Sequence, residues 1–185
     1  RVGNTALSLN ASRQQTDGID FSERGSADDD GYENDSYSLS LAHQFGERFS
    51  LSSSYSSFDA RSDYDDGVVN TDSQQFSMTL KAALSDNWDS SLIMERFEED
   101  NADAGSFGLT NSASENRRLS WQNNYSFDAG NLLSFGVDRQ EQELRYATFG
   151  ALQTDTSRDN DGVFGVYIHE GAALDFTLSL RNDDN

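Results

Sequence analysis

Apolar and polar residues alternate along nine short stretches of this chain. Tyr37, Leu39, Leu41 and Phe45 share one phase, while Ser36, Ser38, Ser40 and Gln44 share the other. A tight turn at 46–48 follows, after which Phe49, Leu51 and Tyr55 alternate with Ser50, Ser52 and Ser54. A period of two predicts strands with one apolar and one polar surface. The connections alternate as well, long and acidic, then short. Long loops on one side and tight turns on the other are the pattern of an antiparallel transmembrane β-barrel, so the fold class is all-β. In such a wall the apolar face meets lipid and the polar face lines a wet interior.

The same reading carries through the chain. A first strand covers 2–13, with Thr5, Leu7, Leu9 and Ala11 in phase, and an acidic loop runs from Gln15 to about Asn34. A second acidic loop spans about 61–73. Strand four then carries Phe76, Met78, Leu80, Ala82 and Leu84 on one face, and strand five places Trp88, Leu92 and Met94 together. A third polar loop covers about 98–114. Strand six has Leu119, Trp121, Tyr125 and Phe127 in phase, and strand seven has Leu133, Phe135 and Val137. A fourth long loop reaches Asn160. Strand eight has Phe164, Val166 and Ile168 on one face, and strand nine has Leu174, Phe176, Leu178 and Leu180. Phe45, Phe49, Trp88, Phe127 and Phe176 gather beside the tight turns, where an interfacial aromatic girdle belongs.

Composition sharpens this reading. The 185 residues are only 35% hydrophobic, and mean hydropathy is -0.74. A barrel wall needs apolar residues only at every second strand position, so low hydropathy does not oppose it. No run approaches the roughly 20 apolar residues of a membrane-spanning helix. The chain opens on Arg1 without a signal peptide and reads as processed or cut. There is no Cys and no Pro, which excludes disulfides and thiolate chemistry. With 33 acidic residues against 13 basic, the net charge of -20 argues against nucleic acid, which demands a basic footprint. Nine strands cannot close as an antiparallel barrel, because the first and last run the same way. Residues 1–185 are therefore expected to form a partial barrel domain within a larger one, since open edges in lipid cost several kcal/mol per unsatisfied group.

The acidic loops are the candidate chemistry. The first contains Asp17, Asp20, Glu23, Asp28, Asp29, Asp30, Glu33 and Asp35; the second contains Asp63, Asp65, Asp66 and Asp72. Two carboxylates held ~5 Å apart repel by about 3 kcal/mol at an effective dielectric near 20. A folded loop of this kind needs a counter-cation or stays solvated, and hard oxygen ligands without His or Cys suit Ca²⁺. The helix–loop–helix calcium pattern fails. With Gly31 or Gly162 at its sixth position, Tyr37 or Ile168 stands at the twelfth, where Glu is required.

Particular segments go further. Gly18-Ile19-Asp20, Asp28-Asp29-Asp30-Gly31-Tyr32, Asp63-Tyr64-Asp65, Ser134-Phe135-Gly136-Val137-Asp138, and the run from Gly162-Val163-Phe164 to Asp183-Asp184-Asn185 resemble the middle of a TonB-dependent receptor barrel. The nearest resemblance is to the cobalamin-transporting members of that family. It implies a barrel of about 22 strands, a plug domain and TonB as partner outside these residues, and uptake of cobalamin or a related corrinoid. It also implies Ca²⁺ held by Asp20, Asp28, Asp30, Tyr64, Asp65 and Asp72, with Tyr64 giving backbone oxygen and a substrate-facing ring. Asp29, Asp66 and Glu33 are substitutes within that set.

His43 and His169 invite a catalytic reading, but sequence places neither beside a nucleophile and an orienting acid, so no enzyme is expected. Arg117, Arg118, Lys81, Arg96 and Arg181 are read as residues of a hydrated interior or rim, with ordinary salt bridges as the plainer alternative. The rivals are a siderophore or sugar receptor of the same family, a soluble Ca²⁺-binding adhesive β-protein, and a passive porin.

Overall fold

The computed structural model describes residues 4–19, 30–65, 67–105 and 108–185. They form nine antiparallel strands: β1 (Thr5–Thr16), β2 (Tyr32–Phe45), β3 (Phe49–Tyr64), β4 (Gly67–Ser85), β5 (Trp88–Gly105), β6 (Gly108–Asp128), β7 (Asn131–Thr148), β8 (Ala151–Glu170) and β9 (Asp175–Asp184). All nine lie in one sheet in sequence order, each hydrogen-bonded to its chain neighbours.

Among the described residues no apolar side chain is buried. Leu39 is 43% exposed, Leu80 39% and Leu178 63%, so they do not pack between two sheets. An apolar face this broad has no place in water, and lipid is the solvent that accepts it. The soluble adhesive reading falls here.

Register fixes which residues share that face, because directly opposed residues point the same way. Leu9 opposes Leu39, and Leu39 opposes Tyr55. The row continues through Tyr55–Phe76 and, four residues nearer the short turns, a second row runs Leu51–Leu80–Leu92–Trp121–Val137–Val163. The expected phases of strands two to seven therefore align. Strand eight differs. Val163, Gly165, Tyr167 and His169 oppose the outward residues of its neighbours, whereas Phe164, Val166 and Ile168 oppose Gly136, Ser134 and Leu132 on the inner face. This strand is apolar on both sides, so alternation alone did not define its orientation.

The long loops are also shorter than expected. Segments read as loops at 61–73, 98–114 and up to Asn160 are mostly strand, with β3 to β8 each 16 to 21 residues long. A tilted strand crosses hydrocarbon in about 10 residues. Roughly 6–11 residues per strand, or ~20–35 Å, therefore project beyond it as hairpins. Past the lipid the residues are mostly polar, apolar ones such as Phe97, Leu109 and Leu144 no longer alternate regularly, and the amphipathic signal fades although the backbone ladder continues. The turn between β7 and β8 needs only Phe149 and Gly150, whose φ angles of 54° and 73° suit a twisted two-residue hairpin.

At the opposite end the turns are short. Gly46 takes a φ of 63° after β2, and the Asp128 carboxylate accepts the Gly130 N–H at 2.9 Å after β6. Aromatic rings line this margin on the outward face. Trp88, Tyr125, Phe127, Tyr167, Phe176 and His169 form a chain of contacts with centroids 4.9 to 6.5 Å apart. Phe45 directly opposes Phe49 at the first short turn. The girdle expected from sequence thus forms a band beside the tight turns.

Candidate functional site

The projecting ends of the first four strands meet at one junction. Gly18, with a φ of 74°, lies so close to β2 that a Cβ there would fall 2.0 Å from the Asp30 carbonyl oxygen. Only glycine fits that approach. The Gly31 carbonyl accepts the Asp63 N–H at 2.8 Å, and the Asp30 Oδ1 accepts the Asp65 N–H at 2.8 Å. Two bonds therefore tie the base of the first acidic loop to the β3–β4 turn, where Asp65 adopts a φ of 27°.

Tyr64 precedes that turn and points to the inner face. Its ring lies across two strands. A Cβ on Gly67 would sit 2.4 Å from the ring's Cζ, and one on Gly105 would sit 2.6 Å from its hydroxyl oxygen. The Tyr64 hydroxyl donates to the Asp103 carboxylate on β5. That hydrogen bond, then desolvation and the charge of Asp103, push the phenol above its ordinary value of 10.0. The ring is thus held over two glycines by an acid on the next strand. Asp103, Gly67 and Gly105 were not anticipated as site residues. The available signal was two glycines placed to share the inner-face phase of Tyr64 at the hairpin ends.

Of the residues implied as metal ligands, Asp30, Tyr64 and Asp65 come to this junction. Asp20 and Asp28 lie outside the described residues, as do Asp29 and Asp66. Asp72 does not join the others. It sits five residues along β4 from Gly67, roughly 16 Å, and faces outward. There it opposes Asp59 on one side and Asp100 on the other, while Asp59 in turn opposes Asp35. Glu33 also faces outward and pairs with Arg13. Among the described residues no group of three or more Asp, Glu, His or Cys side chains gathers to hold a metal.

The inner face carries a second polar cluster. Arg181 on β9 donates to both oxygens of Asp138 on β7, at 2.9 and 3.0 Å, and to Asp183. Arg181 is thus an inner-face residue, as expected, and is also ion-paired there. Arg118 likewise lies 3.9 Å from Glu95 on that face, whereas Arg96 and Arg117 prove to be outward residues. His43 shares a hydrogen bond with Thr5 at 2.7 Å, and His169 with Asn131 at 2.7 Å. Both sit at the short-turn margin, with neighbours that suit structural bonding rather than nucleophile activation.

Comparison with known proteins adds to this geometry. No family model matches the sequence. The chain is similar to the vitamin B12 transporter BtuB of Photobacterium profundum, 27% identical over 181 residues, covering 92% of the chain and 30% of that protein. In fold it is similar to the ferric yersiniabactin uptake receptor FyuA of Yersinia pestis, with a TM-score of 0.59 and 13% identity. That match covers 97% of the chain and 38% of the receptor. It is also similar to the translocator domain of autotransporter NalP from Neisseria meningitidis, with a TM-score of 0.54 and 11% identity, over 100% of the chain and 70% of that domain. The chain thus spans about a third of the transporter it matches in sequence. By their names these are transport, uptake and translocation proteins. Nine amphipathic strands in one sheet, together with these likenesses of fold, make the chain an arc of outer-membrane β-barrel wall, and the match in sequence supports the resemblance to TonB-dependent receptors carried by the segments quoted above.

Proposed function

We propose that this chain contributes one arc of a larger barrel that takes up cobalamin or a related corrinoid, with energy drawn from TonB through a plug domain. The observation that carries the reading is similarity to a vitamin B12 transporter over 92% of the chain. Support comes from the junction where the first acidic loop meets the β3–β4 turn beside an inward-facing Tyr64. In this reading Tyr64 offers its ring to substrate at the extracellular mouth, and Asp103 keeps that ring from rotating. Asp30 and Asp65 anchor a Ca²⁺ site whose further oxygens come from Asp20 and Asp28. Asp72 takes no part, because it faces lipid-side solvent. A divalent ion there supplies charge neutralisation among crowded carboxylates, so the loops are ordered before substrate arrives.

The test is cobalamin binding to the complete receptor in detergent, with Ca²⁺ and with a chelator. Affinity is expected to fall by about tenfold or more on chelation, equivalent to about 1.4 kcal/mol. An Asp30→Ala/Asp65→Ala variant should bind weakly under both conditions. Unchanged affinity on chelation would remove the metal from the account, and absence of cobalamin binding would favour a siderophore or sugar receptor.

A further inference from the structure

On three neighbouring strands the outward residues follow one order from the short turns towards the projecting hairpins. β5 reads Leu92, Met94, Arg96, Glu98; β6 reads Trp121, Leu119, Arg117, Glu115; β7 reads Phe135, Val137, Arg139, Glu141. Each strand passes from apolar to arginine to glutamate. Register sets Arg96 directly opposite Arg117, and Arg139 opposite Leu119. The three guanidinium groups are therefore neighbours at the upper border of the apolar band. Adjacent like charges oppose sheet formation, so their gathering asks for a cause, the more so in a chain with only 13 basic residues against 33 acidic.

Part of the cause is on the hairpin side. Arg96 pairs with Glu98 and Glu115, Arg117 with Glu115 and Glu141, and Arg139 with Glu141, Asp159 and Asp161. These carboxylates hold the arginines in place without covering them, since the three side chains stay 48 to 50% exposed. Each guanidinium has five donors in a fixed fork, so capacity remains toward the membrane. Phe76 opposes Arg96, Leu119 opposes Arg139, and with Met94, one outward position nearer the short turns, they floor a groove of about 340 Å³ that the same arginines rim together with Glu95, Arg118 and Glu141.

We infer that this groove binds a phosphorylated lipid of the outer leaflet. Its acyl chains lie on the Phe76–Met94–Leu119 floor, and its headgroup phosphate bridges Arg96, Arg117 and Arg139. The height is right, because headgroup phosphates sit where hydrocarbon ends, and the chemistry is right, because arginine grips phosphate through paired N–H donors. The glutamates pair the guanidinium groups from the hairpin side and compete with the phosphate for their donors. The inference rests on the outer-membrane placement of the wall and is independent of which substrate the receptor carries.

The experiment titrates the complete receptor in maltoside micelles with bisphosphorylated lipid A and, separately, with the same lipid stripped of phosphate, counting bound lipid by native mass spectrometry. The phosphorylated form should be retained and the stripped form lost. An R96Q/R117Q/R139Q variant should bind on the order of 100-fold more weakly, at about fivefold per basic residue. An E98Q/E115Q/E141Q variant, which breaks the ion pairs but keeps the arginines, should bind at least as well as wild type. Equal retention of both lipids by wild type would overturn the inference without recourse to any variant. So would unchanged binding in the arginine variant, or equal loss in the glutamate variant, since the arginines would then serve only the sheet. Displacement of the lipid by equimolar inorganic phosphate would mark a free-phosphate site and overturn it too.

Discussion

Replacing Leu80 with arginine places a charge near the middle of the lipid-facing band. On β4 the outward apolar positions run from Phe76 through Met78, Leu80 and Ala82 to Leu84, where the ladder with β5 is interrupted by a bulge. The eight steps from Phe76 to Leu84 span about 27 Å along the strand, or ~20 Å along the membrane normal at a barrel tilt near 40°. Leu80 is at the centre of that span, between Leu51 and Leu92, far from either interface that a long side chain might reach. The cost expected at midplane is about 2–4 kcal/mol. Thr79 is its immediate neighbour in sequence but faces inward, opposed by Ser52 and Ile93. Thr79→Arg should cost about 0–1 kcal/mol, because a wet interior solvates the guanidinium. The assay is reversible denaturant unfolding of the complete barrel in phosphatidylcholine vesicles, followed by tryptophan fluorescence. Equal costs at the two positions, or a larger one at Thr79, would refute the assignment of faces.

Other consequences follow from particular contacts. Tyr64 should titrate above 10.0 when its alkaline absorbance is isolated by difference against Tyr64→Phe, and Asp103→Asn should bring it back towards 10.0. In sign, the fold favours the neutral phenol. This contribution is complete below the unfolded value of 10.0 and is lost as pH rises through the folded one, so hairpin order should weaken only in strong alkali. An Asp103→Asn variant whose Tyr64 titration does not move would disprove the link. Gly136→Ala would drive a methyl to 2.4 Å from the Trp121 carbonyl oxygen and 2.8 Å from the Phe164 ring, costing about 1–3 kcal/mol. Gly165→Ala meets nothing within 4 Å and should leave the same unfolding curve unchanged.

The architecture was legible wherever one strand face was apolar and the other polar. Tyr37 to Phe45 and Phe76 to Leu84 announced their phase because only one side tolerates lipid. Legibility failed where that asymmetry ends. Beyond Phe76 and Met94 the regular alternation gives way to mostly polar residues broken by Phe97, Val68 and Val69 without a common period, so strand and loop look alike in sequence, and the projecting hairpins read as loops. On β8 both faces are apolar, and only pairing with Gly136 and Arg181 reveals that Phe164 looks inward. Within the site, the phase of Tyr64 against Tyr55 already places its ring on the inner side. The same parity puts Asp72 in phase with Phe76 and so outward, a signal that resemblance to a metal-binding family overrode. Asp103 carried no local mark, since its role arises from a partner 39 residues away.

The arrangement of faces is tested most directly by a nitroxide scan of β4 from Ser73 to Ser85 in the complete barrel reconstituted in bilayers. Collision with oxygen, which concentrates in lipid, should peak at Phe76, Met78, Leu80 and Ala82. Collision with a water-soluble nickel chelate should peak at the residues between them, and the contrast should fade above Gln74. Low accessibility to both reagents at Met78 and Leu80, or the two phases exchanged, would contradict a wall with lipid outside and water within.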